Sequence, residues 1–341
     1  MTVAAKTSLG AVVARAISVW GLLVLLVLLI IVFSLLKPDT FLTYFNIRSI
    51  LSNKSVQALV ALSVFIPMVA NQFDLSAGFN LGISQVLAIG LQGQGWPWWA
   101  AIVAVLLMGA AVGLVNGVLV TRVRIDSFIA TLGTGTLLYG LNAWYTGGQQ
   151  VLASLPPEFL AISGNIGIVP APAVYALVVS IVLWIVFEYL PLGRYLYVLG
   201  ASPRAAELNG IAARKYVTLG FVAAGTLAAF AGIVLQSQLQ VGQSSVGQEY
   251  LLPAFTAALL GATSIRPGRV NVWGTVLAVA VLAVTVAGLN QLGAPFFVEP
   301  LFNGAMLILA VGLAVQVAQR RQRRGTEADK ATAGAAAPVV E

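Results

Sequence analysis

Two groups of polar residues in this chain have types and spacings suited to chemistry. The first is a surface segment, Gly193 to Ile211, in which charged and turn-forming residues enclose a short helix-compatible stretch. Such a segment is suited to binding a soluble partner. The second is Asp74, an acid at the junction of two apolar runs. Asp74 predicts an N-cap for a helix starting at Leu75, assisted by Ser76; the alternative is a buried acid for ion coupling.

The first segment predicts a short helix with defined ends. Ser202 suits an N-cap, Pro203 suits the first helical position, and Gly210 suits a terminator. Two central alanines are small enough to enter a groove on a partner, and Arg204 and Glu207 stand at the i,i+3 spacing of an ion pair. The predicted docking residues are Gly200, Ala201, Ser202, Pro203, Arg204, Ala205, Ala206, Glu207, Leu208, Asn209 and Gly210.

Several kinds of catalytic and metal site are excluded by residue type. The chain has no cysteine and no histidine, which removes thiol nucleophiles, imidazole catalysis and Cys or His metal sites. No G-x-x-x-x-G-K-[ST] motif occurs, so no phosphate-binding P-loop is predicted. The segment Gly242–Gly247 resembles a nucleophile elbow only loosely and lacks a base. The sequence therefore predicts no enzyme activity, catalytic residue, metal or cofactor in this chain.

The elements that position these residues follow from composition. Of 341 residues, 59% are hydrophobic and 9% are charged, and the mean hydropathy is +0.95. Soluble domains carry about 25% charged residues. Backbone groups in lipid must be satisfied within each segment, which favours helices. We predict an all-α polytopic membrane protein with about ten transmembrane helices, at 16–36, 55–72, 75–91, 97–120, 127–146, 172–190, 215–238, 250–265, 271–291 and 300–319.

The distribution of basic residues predicts the orientation. The net charge is +7, and Lys and Arg concentrate at alternate ends of the predicted helices, as the positive-inside rule requires. This placement does not favour nucleic-acid binding. Both termini are expected in the cytoplasm of a bacterium, with the protein in the inner membrane. Segment 37–54 is the exception, because its three positive charges fall outside; a surface helix after the first span is one explanation.

We predict one transmembrane domain, residues 1–324, with the docking loop at about 193–214. Residues 325–341 lack apolar periodicity, which predicts a disordered cytoplasmic tail. Gly109, Gly113 and Gly117 form a stripe typical of close helix packing, and Gly78 with Gly82 forms another. A faint echo, Asn116 followed by Phe128 and Asn290 followed by Phe302, indicates an inverted repeat.

Four segments carry a resemblance to one family. The segment Gly193–Ile211 resembles the cytoplasmic coupling segment of ABC importer permeases of the ribose and simple-sugar family. Phe73–Gly78 is similar to the "GIDLSVG" motif of that family, Ser127–Gly133 to the start of its fifth span, and Ala257–Arg269 to its "VVLGGTS…GG.G" segment. The similarity keeps its order and spacing from about residue 40 to 318. Gln72 and Phe73 replace the family's Gly and Ile before Asp74, which puts ribose itself in question.

The resemblance implies a type II-like importer permease that works as a pair, with itself or with a sister permease. It implies an ABC ATPase with two nucleotide-binding domains that holds ATP and Mg, and an extracytoplasmic sugar-binding protein. Movement of the ATPase would pass through the coupling helix to the helices at 172–190 and 215–238. The other partner is the lipid bilayer.

A path for a neutral, hydroxyl-rich sugar is expected to be polar without charge, with aromatic rings for stacking. Each candidate has the alternative role of bridging helices or marking an interface. The candidates are Asn71, Asp74, Asn116, Asn142, Trp144, Gln236, Asn290 and Asn303.

Three functional classes remain open. They are the ABC permease for a simple sugar or sugar-like solute, an ion-coupled secondary carrier that uses Asp74, and a structural membrane protein. Within the first class, related permeases for nucleosides or branched-chain amino acids share the general plan.

Overall fold

The computed structural model describes residues 9–313 and 315–316. The predicted tail, residues 325–341, lies outside the described residues. The elements in chain order are α1 (Leu9–Leu36), α2 (Tyr44–Val69), α3 (Ser76–Gly93), α4 (Trp98–Val118), a π-helical turn (Leu119–Val123), α5 (Ser127–Thr146), α6 (Pro157–Leu160), a 3₁₀ turn (Ala161–Ser163), β1 (Asn165–Ile166), β2 (Val169–Pro170), α7 (Ala171–Tyr189), α8 (Pro191–Ala201), α9 (Pro203–Leu208), α10 (Ala213–Leu239), α11 (Val246–Gly261), α12 (Val272–Gln291) and α13 (Val298–Leu313).

The helical, membrane-spanning character is confirmed. Six helices in the described part of the chain are long and apolar enough to cross a bilayer: α1 from Val19, α2, α4 with its π-helical turn, α7, α10 and α12. A segment of about 20 apolar residues is the length that a bilayer requires. Strands β1 and β2 form a two-residue antiparallel hairpin, with Asn165 opposite Pro170 and Ile166 opposite Val169.

Three helices start several residues before the predicted position. Helix α1 begins at Leu9, before the predicted 16. Helix α2 starts at Tyr44, where Thr43 accepts a hydrogen bond from the Asn46 amide, so most of the predicted outer segment 37–54 belongs to α2. Its charged residues were mistaken for a boundary because they precede the apolar run. Helix α11 starts at Val246, before the predicted 250, since the chain turns back at Gln240 in the left-handed region (φ 57°).

Helix α10 is the centre of the bundle, with α2, α3 and α4 packed along it. The glycine stripe of α4 makes the closest approach. A Cβ on Gly109 would stand 2.7 Å from the Gly225 carbonyl oxygen, and one on Gly117 would stand 2.8 Å from Thr218. The packing prediction for this stripe is confirmed, and the contact brings two backbones together with no room for side chains between them.

The second stripe also packs as predicted. A Cβ on Gly78 would stand 2.7 Å from the Gly247 oxygen at the start of α11, and one on Gly82 would stand 3.3 Å from the Gly247 Cα. The first turn of α11 therefore lies directly against α3. This contact fixes the position of the segment that joins α10 to α11.

Candidate functional site

The predicted docking segment folds into two short helices. Helix α9 has the predicted caps: Ser202 Oγ accepts the Ala205 amide at 3.3 Å, Pro203 is the first residue, and Gly210 has φ 75°. The Ile211 amide donates to the Ala206 carbonyl oxygen at 3.0 Å, which closes the helix end. The capping residues thus make two turns stable in a segment too short to be helical by itself.

The surface of α9 presents one large apolar side chain beside a weak ion pair. Leu208 is 76% exposed. Arg204 Nη1 lies 3.9 Å from Glu207 Oε2, and both side chains are mostly exposed, so this pair contributes little to stability. Ala206 is fully buried, which corrects the expectation that it enters a groove on a partner. Ala205 is exposed and remains available.

Helix α8 was missed by the sequence reading, which treated its residues as loop. Leu196 and Leu199 are buried, and Leu196 packs against the end of α2. Together with Leu192, they have the i, i+4, i+7 spacing of an amphipathic helix, and Pro191 stands at its first position. That spacing was the signal that could have revealed α8. Helix α8 thereby connects α9 rigidly to the membrane-embedded helices.

The contact of α8 with α2 is made by backbone at Gly200. A Cβ on Gly200 would overlap the Val69 carbonyl oxygen. We expect Gly200→Ala to displace α8 and to destabilise the folded protein by about 1–3 kcal/mol. Thermal unfolding in detergent measures this effect. Gly140→Ala is the control, since a Cβ there meets nothing within 4 Å. Equal melting temperatures for both variants would contradict a tight α8–α2 contact.

Charged and aromatic side chains join α7 and α8 to the loop between α11 and α12. Arg266 donates from both guanidinium nitrogens to the Glu188 carboxylate, at 2.6 and 2.7 Å. These bonds raise the pKa of Arg266 above its usual value. The Tyr197 hydroxyl donates to the Val270 carbonyl oxygen at 2.8 Å, and Arg269 Cζ lies 3.4 Å from the centre of the Tyr197 ring. Both interactions favour a fixed position of α8 relative to that loop.

Asp74 lies in the non-helical break between α2 and α3. Its carboxylate accepts the Ser76 amide at 3.0 Å and the Ser76 hydroxyl at 2.6 Å, both at Oδ1. The predicted N-cap position is wrong by one residue: α3 starts at Ser76, its N-cap is Leu75, and Leu75 makes no side-chain cap hydrogen bond. Asp74 instead bonds the first helical residue, Ser76, from one position before the N-cap. Asn116 Nδ2 donates to Ser76 Oγ at 2.8 Å, and Thr134 Oγ1 donates to Asn116 Oδ1 at 2.6 Å. These bonds form a buried chain from the break through α4 to α5.

Backbone groups of the break are bonded by hydroxyls of α5, which the sequence reading did not single out. The Phe73 amide donates to Ser127 Oγ and the Leu75 amide donates to Thr131 Oγ1, each at 3.0 Å. Non-helical backbone within a bundle of membrane helices requires such partners because its own segment supplies none. The hydroxyl spacing on the first turn of α5 was the available signal.

A second polar cluster bonds the backbone between α10 and α11. Asn142 Nδ2 donates to the Ser244 carbonyl oxygen at 3.2 Å, and Gln85 Nε2 donates to the Val241 carbonyl oxygen at 2.5 Å. The amide of Gln236 is fully buried against Gln85. Asn142 and Gln236 thus make the helix-bridging contacts that were the alternative to lining a path.

The eight predicted path residues do not converge on one cavity. Asp74 and Asn116 belong to the first cluster, and Asn142 and Gln236 to the second. Trp144 is 80% exposed on the outward face of α5. The other three also lie apart: Asn71 is exposed at the break, Asn290 is exposed near the end of α12, and Asn303 is half-buried on α13.

The chain matches known permeases over most of its length. Residues 46–311 match the family described as "branched-chain amino acid transport system / permease component". The ribose import permease protein RbsC of Escherichia coli K12 is 33% identical over 294 residues, covering 85% of this chain and 91% of that protein. The ribose import permease protein RbsC of Bacillus subtilis 168 is 32% identical, covering 84% and 89%.

Permeases with other named substrates are also similar. The D-allose transport system permease protein AlsC of Escherichia coli K12 is 28% identical, covering 86% of this chain and 90% of that protein. No solved structure matches this chain. The match to the family model covers well over half of the chain, and relatives above 30% identity extend over most of its length. The protein is a multi-pass membrane protein that belongs to the family of ABC importer permeases containing the ribose permeases.

Proposed function

We propose that this chain is the permease subunit of an ATP-driven importer that translocates a simple sugar or sugar-like solute delivered by an extracytoplasmic binding protein. The observation that carries the proposal is helix α9, a capped two-turn helix whose exposed Leu208 is available to a partner. The names of the relatives support a sugar as the solute class. The family description keeps a branched-chain amino acid as the alternative solute.

The assembly proposed for this chain has two permease subunits, a second copy or a sister chain. An ATPase with two nucleotide-binding domains binds ATP and Mg and hydrolyses the ATP at the cytoplasmic face. Ten spans, both termini in the cytoplasm and an inner-membrane location go with this arrangement. The inverted repeat stays a prediction. The positions of Lys and Arg support the orientation.

The route by which ATPase movement reaches the membrane differs from the one that the sequence indicated. Helix α9 continues from α8 after one residue, and α8 contacts the end of α2 at Gly200 and Val69. The α2–α3 break follows directly, with Asp74 at its centre. A push on α9 therefore reaches the break through α8, in addition to α7 and α10. Two packed elements that move as rigid bodies on either side of a short non-helical break suit alternating access.

The test of the coupling role is the variant Leu208→Asp. Burying a leucine of this size in a partner groove contributes about 1.5–3 kcal/mol, and a carboxylate in its place is repelled by an apolar surface. We expect at least about a tenfold loss of ATPase bound to the permease. Co-purification of the two subunits in mild detergent measures the loss, together with uptake of labelled ribose by vesicles that contain the whole importer.

Leu152→Asp is the matched control, because Leu152 is 70% exposed and lies in the segment between α5 and α6, away from α9. The control variant should retain the ATPase. If Leu208→Asp binds the ATPase as well as the native chain does, α9 is not the docking helix and the proposal loses its main support.

A second candidate function has one specific observation in its favour. Asp74 is 1% exposed, and its Oδ2 has no hydrogen-bond partner among the described residues. Buried acids in membrane proteins are typical of ion pathways and proton relays. An ion-coupled carrier would transport its solute without the ATPase, driven by protons or sodium.

A further inference from the structure

A cavity of about 660 Å³ lies beneath the docking segment. Its walls come from the end of α2 and the following break, from α8, and from the loop between α11 and α12. The volume falls within the range of about 300–1,000 Å³ that small-molecule sites occupy. The polar side chains in its lining belong to Asn71, Gln72, Arg194, Tyr197, Ser202 and Arg269.

The lining carries two positive charges and no carboxylate. Arg194 and Arg269 both line the cavity, and neither makes a salt bridge within the part of the chain that the structure describes. The nearby acid, Glu188, is already paired with Arg266 through two short hydrogen bonds. Glu188 also interacts electrostatically with Arg194 and Arg269, but one carboxylate among three guanidinium groups leaves a net positive charge, and this charge favours an anion in the cavity.

Stacking on an aromatic ring orients the guanidinium group of Arg269, and this orientation favours one kind of anion. Its guanidinium lies over the Tyr197 ring at 3.4 Å, and Tyr197 is itself fixed by its bond to the Val270 carbonyl oxygen. Stacking engages the face of a guanidinium and leaves its N–H edges free, and these edges match phosphate oxygens in pairs. An oriented fork of donors in a partly enclosed space favours a phosphate group over a diffuse halide ion.

The remaining lining suits an organic part attached to that phosphate. The side-chain amide of Asn71 makes no hydrogen bond within the described residues and can donate or accept. The Ser202 hydroxyl accepts from Ala205 and still has a proton to donate. The cavity is also much larger than a bare phosphate ion. We propose that this cavity is a binding site for a phosphate ester that carries a small hydroxyl-bearing group, held by Arg194 and Arg269.

The same chemistry is offered by two sources, a soluble phosphate ester and the headgroup of an anionic phospholipid. An occupant of either kind would lie between α8 and the α2–α3 break, the two elements that move relative to each other in the proposed coupling route. This regulatory consequence rests on the proposed function, whereas the binding itself does not.

The test uses the purified full-length chain alone, without ATPase or nucleotide. In the first arm of the test, equilibrium dialysis measures binding of a soluble phosphate ester, labelled ribose 5-phosphate. Unlabelled ribose and inorganic phosphate are the competitors. In the second arm, native mass spectrometry of the chain from nanodiscs with and without phosphatidylglycerol measures binding of an anionic phospholipid. We expect binding in at least one arm. Arg194→Gln and Arg269→Gln should each weaken it by about tenfold, as loss of a charged donor does.

Arg122→Gln is the control, because Arg122 is exposed in the π-helical turn after α4 and lies outside the cavity lining. It should bind like the native chain. Competition by phosphate but not by ribose would identify the phosphate as the recognised group. The site is disproved if neither probe binds, or if both arginine variants bind as the native chain does.

A further outcome separates this site from partner docking. If neither probe binds the native chain but both arginine variants lose the ATPase in co-purification, the arginines bind acidic side chains of that partner. The phosphate site is then wrong, while the proposed transport function stands.

Discussion

The variant Gly113→Leu is expected to be lost as folded protein. A Cβ at this position on α4 would stand 2.7 Å from both the Phe221 carbonyl carbon and the Val222 Cα on α10. The obstruction is backbone, which cannot rotate away, so α4 and α10 must separate along their whole contact. Overpacking in cores costs about 1–3 kcal/mol where side chains can adjust. Here we expect a loss above that range, about 3–5 kcal/mol, which approaches the lower end of the net stability of about 5–15 kcal/mol that folded domains have.

Yield of monodisperse protein in detergent and thermal unfolding both measure this effect. Gly133→Leu on α5 is the matched control, because a Cβ at Gly133 meets nothing within 4 Å. Leucine is also the better helix former, by somewhat less than about 1 kcal/mol. The control should therefore fold at least as well as the native chain. A well-folded Gly113→Leu variant would show that α4 and α10 pack less closely in solution than the distances in the structure indicate.

The second large effect is expected at Asp74, where two substitutions separate the two candidate functions. Asp74→Leu removes the acceptor of the Ser76 amide and hydroxyl and leaves both buried donors without a partner. Each such group costs about 1–3 kcal/mol. We expect this variant to lose the folded break and, with it, uptake.

Asp74→Asn keeps an acceptor oxygen of the same size at the Oδ1 position, where both existing bonds are made. The ABC permease proposal predicts that this variant retains ATP-dependent uptake of the solute within a few-fold. The ion-coupled carrier predicts that uptake is abolished, because the amide cannot bind or release a proton. Uptake by vesicles with and without ATP, and with and without an ion gradient, distinguishes the two.

The sequence predicted the apolar helices and the capped helix α9 because both depend on local signals. Runs of apolar residues define a span, and Ser202, Pro203 and Gly210 define the ends of α9 without help from the rest of the chain. The glycine stripe of α4 similarly predicted close packing, because glycines repeated along one face of a membrane helix allow a second helix backbone to approach.

The remaining features depend on contacts between distant parts of the chain. Burial of Ala206 follows from its position against the body of the protein, which no spacing within α9 reveals. The roles of Asn142 and Gln236 follow from where the α10–α11 connection passes. A polar residue in an apolar run can line a path or bond a neighbouring backbone, and only the tertiary fold separates these roles.

The backbone of the α2–α3 break has a property that an ordinary helix lacks. The amides of Phe73 and Leu75 donate to hydroxyls of Ser127 and Thr131 on α5, instead of to carbonyl oxygens of their own helix. Deuterium can replace their protons only when α5 moves away or the break itself unfolds. The hydrogen–deuterium exchange rates of these two amides therefore report how often this junction opens. Mass spectrometry measures these rates without a probe attached to the protein.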